Sequence, residues 1–241
     1  MKKVALITGG TKGLGKAIVL KLLDEGVKVA FTYFSDDEAA NKIVDLYSED
    51  AICFKSDSSK SDEAYRVVEE TIKHFGKIDI LVNNVFGAKD GSVINHSFEM
   101  MEYTMNHTFY PAYHHIVAVA KHMKDNNYGR IVNIGSVNGM RGREGSLAYS
   151  SAKSALTGLS KTVAKELGRY NVTCNIVAPG YIDTDGQKNT SELIKKMVLE
   201  ESVVKKLPKP EEIANIVYFL TVLDSGNITG ETIKIDCGQY I

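Results

Sequence analysis

Short apolar runs alternate along the chain with stretches in which apolar residues recur every three or four positions. The runs over 4–8, 27–34, 51–54, 78–82, 129–134, 172–178 and 232–235 have the length and composition of buried strands. Between them helical spacing takes over. Leu14, Ile18 and Leu22 mark a helix over 14–25, and a charged helix covers about 61–75. A long helix covers about 98–124, another 148–168, and Pro210 opens one that runs to about 223. Ser35-Asp36-Asp37-Glu38 reads as a capping box opening the helix after the second strand, and Pro179-Gly180 stops the sixth strand. Such alternation predicts an α/β fold of Rossmann-like type: a doubly wound parallel sheet with helices on both faces and right-handed crossovers. No repeat, low-complexity tract or Pro-rich linker divides the chain, so residues 1–241 read as a single domain. One insertion-like stretch, 185–207, is polar with a helical patch at Leu193, Ile194, Met197 and Val198. It follows the C-terminal end of a strand, which is where ligands bind in this architecture.

Composition narrows the partners. With 44% apolar residues in 241 the chain can bury a large core, and wholesale disorder is excluded. Lys plus Arg number 29 and Asp plus Glu 30, so no global field favours nucleic acid or an anionic membrane. No apolar stretch approaches transmembrane length. Met1-Lys2-Lys3-Val4 enters the first strand directly, which predicts no signal peptide. Cys53, Cys174 and Cys237 are odd in number and scattered, unlike a disulfide framework or a zinc site. The expected location is the reducing cytoplasm.

The first apolar run ends in Thr8-Gly9-Gly10-Thr11-Lys12-Gly13-Leu14-Gly15. A glycine-rich turn between strand and helix lets backbone approach a pyrophosphate, and the helix N-terminus supplies N–H donors and partial positive charge. Gly9, Gly13 and Gly15 are the candidates for that role, which implies a nicotinamide dinucleotide. An enzyme that takes NAD places an acid on the ribose hydroxyls at the end of the second strand. Here that strand ends Thr32-Tyr33-Phe34-Ser35 with no acid at its tip, and Lys12 and Ser35 lie where a 2′-phosphate would be met. NADP(H) is therefore preferred. NAD(H) stays possible if Asp36 reaches the ribose instead of serving the helix start.

Tyr149 and Lys153 stand four apart and share a helix face. A tyrosine loses its proton near pH ~10, and an adjacent ammonium favours the phenolate, making the phenol a usable general acid or base. About one Tyr-x-x-x-Lys match is expected by chance in such a chain, so position carries the weight. This match is the only one, and it begins thirteen residues after Ser136, which follows the fifth strand and can hold a substrate oxygen.

Taken together these residues resemble the short-chain dehydrogenase/reductase family over essentially the whole chain. Residues 8–15, with Thr11, Lys12 and Leu14 inside them, match its Thr-Gly-x-x-x-Gly-x-Gly element. Asp57 matches its adenine-binding aspartate, and Asn83-Asn84 the start of its Asn-Asn-Ala-Gly element. Asn106, Ser136, Tyr149 and Lys153 match its four catalytic positions. Pro179-Gly180-Tyr181-Ile182-Asp183-Thr184 matches the segment whose Ile182 and Thr184 positions meet the nicotinamide. The resemblance implies a seven-stranded sheet, hydride delivery to a carbonyl, protonation by Tyr149, a Lys153 that holds the ribose and tunes the phenol, and an Asn106 that positions a relay water. It also implies a homotetramer or homodimer built partly on the helices of Asn106 and Tyr149. The most similar-looking branch is the 3-oxoacyl-acyl-carrier-protein reductases.

Three departures stand out. The Asn-Asn-Ala-Gly element continues Asn83-Asn84-Val85-Phe86-Gly87, which puts a ring where backbone should approach the ribose. A C-terminal Asp-Gly-Gly becomes Asp236-Cys237-Gly238, read as a local packing change. Asn127 and Tyr170 are uncharged where a carrier-protein reductase shows docking cations. His107, His114, His115 and His122 form stripes with a spacing of seven, read as helix packing or a subunit interface, with no metal site expected. Arg141, Arg143 and Glu144 read as a solvated loop or as a polar substrate contact. The substrate, a small-molecule carbonyl or alcohol, would meet the loops 87–94 and 139–146 and the segment 185–207. Two rival readings remain: an NAD-dependent dehydrogenase of a small alcohol, and a cofactor-sensing regulator without turnover.

Overall fold

The computed structural model describes residues 2–182, 184, 192–223 and 225–241. Asp183 and 185–191, part of the nicotinamide and substrate segments named above, lie outside the described residues. Strand and helix alternate as β1 (Val4–Ile7), α1 (Gly13–Asp24), β2 (Lys28–Tyr33), α2 (Asp37–Tyr47), β3 (Ala51–Lys55), α3 (Ser61–Phe75) and β4 (Ile80–Asn83). Then come α4 (Phe98–Thr104), a π-helical turn (Met105–Phe109), α5 (Tyr110–Asp125), β5 (Gly129–Ile134), α6 (Asn138–Arg141) and α7 (Leu147–Leu167). The chain closes with β6 (Val172–Pro179), α8 (Glu192–Glu201), α9 (Pro210–Thr221) and β7 (Thr232–Ile235).

The seven strands form one sheet in the order β3-β2-β1-β4-β5-β6-β7, with every neighbouring pair parallel. Side chains alternate between two cores. Ala5, Ile7, Val29, Phe31, Ile80 and Val82 pack with α1 and α9 on one face. Leu6, Ala30, Leu81 and Ile131 pack with α3, α5 and α7 on the other. A parallel sheet covered on both sides needs apolar residues at both parities, which is why the strands read as continuous apolar runs. Strand order reverses between β1 and β4, and this switch point opens the cleft at the strands' C-terminal ends.

Local details correct the sequence reading in two places. The N-cap of α2 is Asp36, whose side chain accepts from the Ala39 N–H at 3.0 Å. The helix starts one residue later than the Ser35 capping box requires, because the carboxylate of Asp36 reaches the third N–H that the capping geometry needs filled. The long helix over 98–124 is interrupted at Met105–Phe109, where one turn widens to π geometry. Such turns insert a residue into the helical ladder and often mark functional positions.

The histidine stripe does pack the helix inward. The Ile78 N–H donates to His122 Nε2 at 3.0 Å, and His107 stacks on Tyr103 with centroids 4.1 Å apart. His115 is fully buried, with Nδ1 on the Pro111 carbonyl at 2.8 Å and no partner for Nε2. Burial pushes its imidazolium down from 6.5 to about 4. The unfolded chain therefore takes up a proton below pH 6.5 that the folded chain refuses until about pH 4. Stability contributed by neutral His115 is full above pH 6.5 and is lost as pH falls toward 4. In thermal melts across that window, His115→Leu should flatten the acid-side fall in Tm relative to wild type. Parallel curves for the two proteins would remove His115 from the account.

Candidate active site

The cradle forms where β1 ends beside β2 and β4. The Gly9 N–H donates to Thr32 Oγ1 at 3.1 Å and the Gly10 N–H to the Thr32 carbonyl at 2.8 Å, laying the turn on β2. From the other side, the Asn84 carboxamide donates to the Thr8 and Gly9 carbonyls at 3.1 Å each, and its own N–H donates to Thr8 Oγ1. Asn84 thus holds the turn in shape, a role that the motif reading did not single out. Asn83, expected at the cofactor, is buried one residue earlier, donating to Asn133 Oδ1 at 2.8 Å. Asn133 in turn donates to Ser160 Oγ, so this polar ladder ties β4, β5 and α7 beneath the cleft.

The turn fits a dinucleotide. Gly13 has φ +53°, a left-handed conformation in which a side chain is strained, and it opens α1 with its N–H groups directed at the cleft. A Cβ at Gly15 would lie 2.0 Å from the Gly9 carbonyl oxygen, so only glycine lets helix and turn close to this distance. The first turn of α1 carries no acid, which leaves its positive end available to a phosphate. Lys12 is exposed just ahead of it. At the ends of β2 and β3 an open cavity of about 370 Å³ is lined by Phe34, Lys55, Ser56, Asp57, Lys60, Asp62 and Glu63. The Ser59 hydroxyl and N–H hold the Asp57 carboxyl below its ordinary range. The acids after β2 are already engaged. Asp36 caps α2, while Asp37 takes the Lys55 ammonium and the Tyr33 hydroxyl, each at 2.9 Å.

The candidate proton-transfer groups lie at the next strand ends. Ser136 follows β5, and its Oγ accepts from the Asn138 N–H at 3.2 Å. The Val137 N–H donates to the Pro179 carbonyl and the Gly180 N–H to that of Ile235, which brings the Pro-Gly segment alongside. Ile182 packs on the core and the Thr184 methyl comes within 3.9 Å of the Gly13 position. Tyr149 and Lys153 share a face of α7, and Asn106 sits in the π-turn that packs on α7. The structure therefore brings Ser136, Tyr149 and Lys153 together, with Asn106 on the turn packed against their helix.

Their electrostatics differ from the expectation that Lys153 lowers the phenol. Lys153 is 4% exposed, and its Nζ donates to the Ile134 carbonyl at 2.6 Å, 5.9 Å from the Tyr149 ring centre. Burial pushes the amine down to about 7. The phenol is pushed up, mainly by burial and also by the charge of Asp90, while a hydrogen bond with Ser136 pulls it down in part. Desolvation outweighs the cation here because the amine is itself buried without a counter-charge.

The profile of a family described as "Enoyl-(Acyl carrier protein) reductase" matches residues 9–239. The 3-oxoacyl-[acyl-carrier-protein] reductase FabG of Staphylococcus epidermidis is 31% identical over the full length of both chains. The acetoacetyl-CoA reductase of Shinella zoogloeoides is 34% identical over 100% of this chain and 99% of its own. A solved short-chain dehydrogenase/reductase of Serratia marcescens, a double mutant, superposes with TM-score 0.92 at 33% identity, covering 98% of this chain and 97% of that one. This chain belongs to the short-chain dehydrogenase/reductase family. It is an oxidoreductase of carbonyl or alcohol groups, and membership implies a nicotinamide cofactor.

Against that family frame the Phe86 departure has a definite geometry. The ring is 65% exposed, lies edge-on to Tyr149 with centroids 6.1 Å apart, and covers Lys153 Nζ at 5.7 Å. It stands between the cleft and the amine expected to hold the ribose. Gly87 follows close to the His107 side chain, where a Cβ would sit 3.1 Å from His107 Cβ. Arg141, read as solvated or substrate-facing, instead ties elements together: it donates to the Gln239 carbonyl and to Glu201 of α8, each at 3.0 Å. Cys237 takes a left-handed φ of +55°, and its carbonyl accepts from the Val204 N–H, so the departure there is one of local packing. Among the described residues no group of three or more His, Cys, Asp or Glu is arranged to hold a metal ion. No helix of the described residues is long and apolar enough to cross a membrane.

Two variants test the cradle. Gly15→Ala should abolish nicotinamide binding and destabilise the fold by about 1–3 kcal/mol, measured by cofactor fluorescence and denaturant unfolding. Phe86→Gly should tighten cofactor binding by up to about tenfold, since the ring no longer has to leave the amine. Unchanged affinity there would show that the ring does not obstruct the ribose position.

Proposed function

We propose that this enzyme is an NADPH-preferring reductase that converts a ketone, of 3-oxoacyl or similar type, to the alcohol. The observation that carries the reading is the hydrogen-bonded pair of Ser136 hydroxyl and Tyr149 phenol at the mouth of the cleft, with the phenol kept in its proton-bearing form. A carbonyl oxygen gains negative charge as the carbon is reduced, so it needs a donor in contact and a proton to accept. Hydride addition to an enoyl thioester, the reaction that the name of the matching family profile suggests, also places negative charge on a carbonyl oxygen as an enolate, so the choice of a ketone rests on the relatives. The 3-oxoacyl and acetoacetyl-CoA reductases among the relatives agree with the carbonyl reading by their names.

The Gly9–Gly15 turn, Asp57, Asn83-Asn84 backbone, Lys153 and the Pro179–Thr184 segment would hold the cofactor, which when bound supplies the hydride. Ser136 orients the substrate oxygen and Tyr149 delivers its proton. Lys153, with an amine near neutrality, takes up and returns protons behind Tyr149, and Asn106 positions the relay toward solvent. The preference for NADPH is supported by the engagement of Asp36 and Asp37, which leaves Lys12 and Ser35 to face a 2′-phosphate. An assembly through α5 is supported by its exposed aromatic row, with Tyr110 stacked on His114 and Phe109 on Tyr113. The scattered free cysteines Cys53, Cys174 and Cys237 support a cytoplasmic enzyme, and near-neutral charge supports one without nucleic-acid or membrane partners.

Titration with NADPH and NADH should show tighter NADPH, and Lys12→Glu should reverse the order. With acetoacetyl-CoA as ketone, Tyr149→Phe should lower kcat by about 10²–10⁴ while leaving NADPH affinity within a factor of about two. Retained turnover in that variant would overturn Tyr149 as the acid. Binding of neither cofactor would favour a regulator instead.

A further inference from the structure

Tyr149 is the third residue of α7, and the first N–H groups of any helix lack an intrahelical acceptor. Ser146, the N-cap residue, makes no side-chain cap bond, and the first turn contains no acid. The Tyr149 N–H is nonetheless satisfied. It donates at 3.0 Å to Oδ1 of Asp90, 59 positions away in the segment between β4 and α4.

That segment is itself fastened to the helix of Asn106. The Gly87 N–H donates to Thr108 Oγ1 at 3.3 Å, and the same hydroxyl donates to the Gly87 carbonyl at 2.9 Å. The Lys89 N–H donates to Thr104 Oγ1 at 3.0 Å. Thr104 and Thr108 are fully buried and bracket Asn106 by two residues on either side. Residues 87–90 therefore lie along the π-turn and present Asp90 to α7. One carboxylate joins the two helices that carry the proton-transfer groups.

We propose that Asp90 is a positioning residue: it caps α7 from the β4–α4 segment and so fixes Tyr149 against the helix of Asn106. The proposal rests on Tyr149 acting as the general acid. A carboxylate at a helix N-terminus is favoured by the helix dipole, which holds the contact in place. The charge also acts on the phenol three residues into the helix, favouring the proton-bearing form that reduction requires. The other polar and charged groups around the phenol are Lys153 on the same helix and the Ser136 hydroxyl after β5, with His107 of the π-turn packed on Gly87. Of these only Asp90 carries negative charge.

The test uses Asp90→Asn and Asp90→Ala in the full-length protein. Asn keeps an acceptor without the charge; Ala removes both. Three readouts are taken: amide hydrogen exchange over the first turn of α7, the near-ultraviolet phenolate titration of each protein minus that of its Tyr149→Phe counterpart, and the pH dependence of kcat and KM for ketone reduction with NADPH. Asp90→Ala should lose protection at the start of α7 and about tenfold or more in kcat, with KM for NADPH changed less than about twofold. Asp90→Asn should restore the protection and most of kcat. In that variant the phenol should titrate lower and the alkaline limb of the pH profile should move to lower pH, because a negative charge beside the acid is gone. Wild-type protection at α7 in Asp90→Ala overturns the proposal. So does an unchanged phenol titration in Asp90→Asn, which decides the matter if the Ala variant does not fold. If wild-type protein reduces no ketone, the reading of function fails, yet exchange and phenol titration still judge Asp90 without turnover.

Discussion

Everything in this molecule follows from a parallel sheet that is buried on both faces. Such a sheet has no wet side on which a strand residue could keep a polar group. Chemistry is forced to the strand ends, and among those ends the one between β1 and β4 is special because chain connections leave it in opposite directions. The Gly-rich turn, the Asn84 brace, Ser136 and the Pro179-Gly180 break are all strand-end features. Polar side chains left within the sheet bond to one another, as in the Asn83–Asn133–Ser160 ladder, or to backbone, as Asn175 does to Ile228 and Glu231, which offsets their desolvation cost, while Asn83 Oδ1 has no partner among the described residues.

The same burial sets the acid–base character of the site. Lys153 enters the core as a cation without a carboxylate to meet it, so its amine is drawn toward neutrality and rests on the Ile134 carbonyl. Tyr149 is deprived of water in the same cleft and holds its proton more firmly than a free phenol. Desolvation acts on the two groups in opposite senses and opens the gap between them, so the proton stays on the phenol while the amine is easily neutralised. Ser136 on one side and Asp90 on the other then adjust the phenol in opposite directions.

Phe86 shows how one substitution changes a site while the candidate proton-transfer groups beside it stay in place. The ring is exposed, so it contributes little to the core, yet it covers the amine and edges the phenol. The segment that follows keeps its course because the Thr104 and Thr108 hydroxyls, not the substituted position, fasten it to the π-turn. The pocket wall can therefore carry an aromatic group while the backbone behind it stays in register.

The seven apolar runs, the helical spacings between them and the ordered motifs determined the sheet and its doubly wound class, and they singled out Asn106, Ser136, Tyr149 and Lys153 as candidates, because period and strand-end position are local properties of a chain. Boundaries shifted by a residue or two, as where Asp36 competes with Ser35 to cap α2 and where β4 runs Ile80–Asn83 rather than 78–82, and a π turn divides the long helix. What the sequence did not disclose depends on contacts between distant segments. Asn84 rather than Asn83 reaches the cradle because one step along a strand reverses the face. Arg141 ties α8 and the C-terminal tail together instead of facing solvent, and Asp90 caps a helix 59 residues away. The direction of the phenol's shift also escaped a reading based on an adjacent lysine. Spacing places the two groups side by side, but only tertiary burial decides how much water each one loses, and that loss outweighs the charge between them.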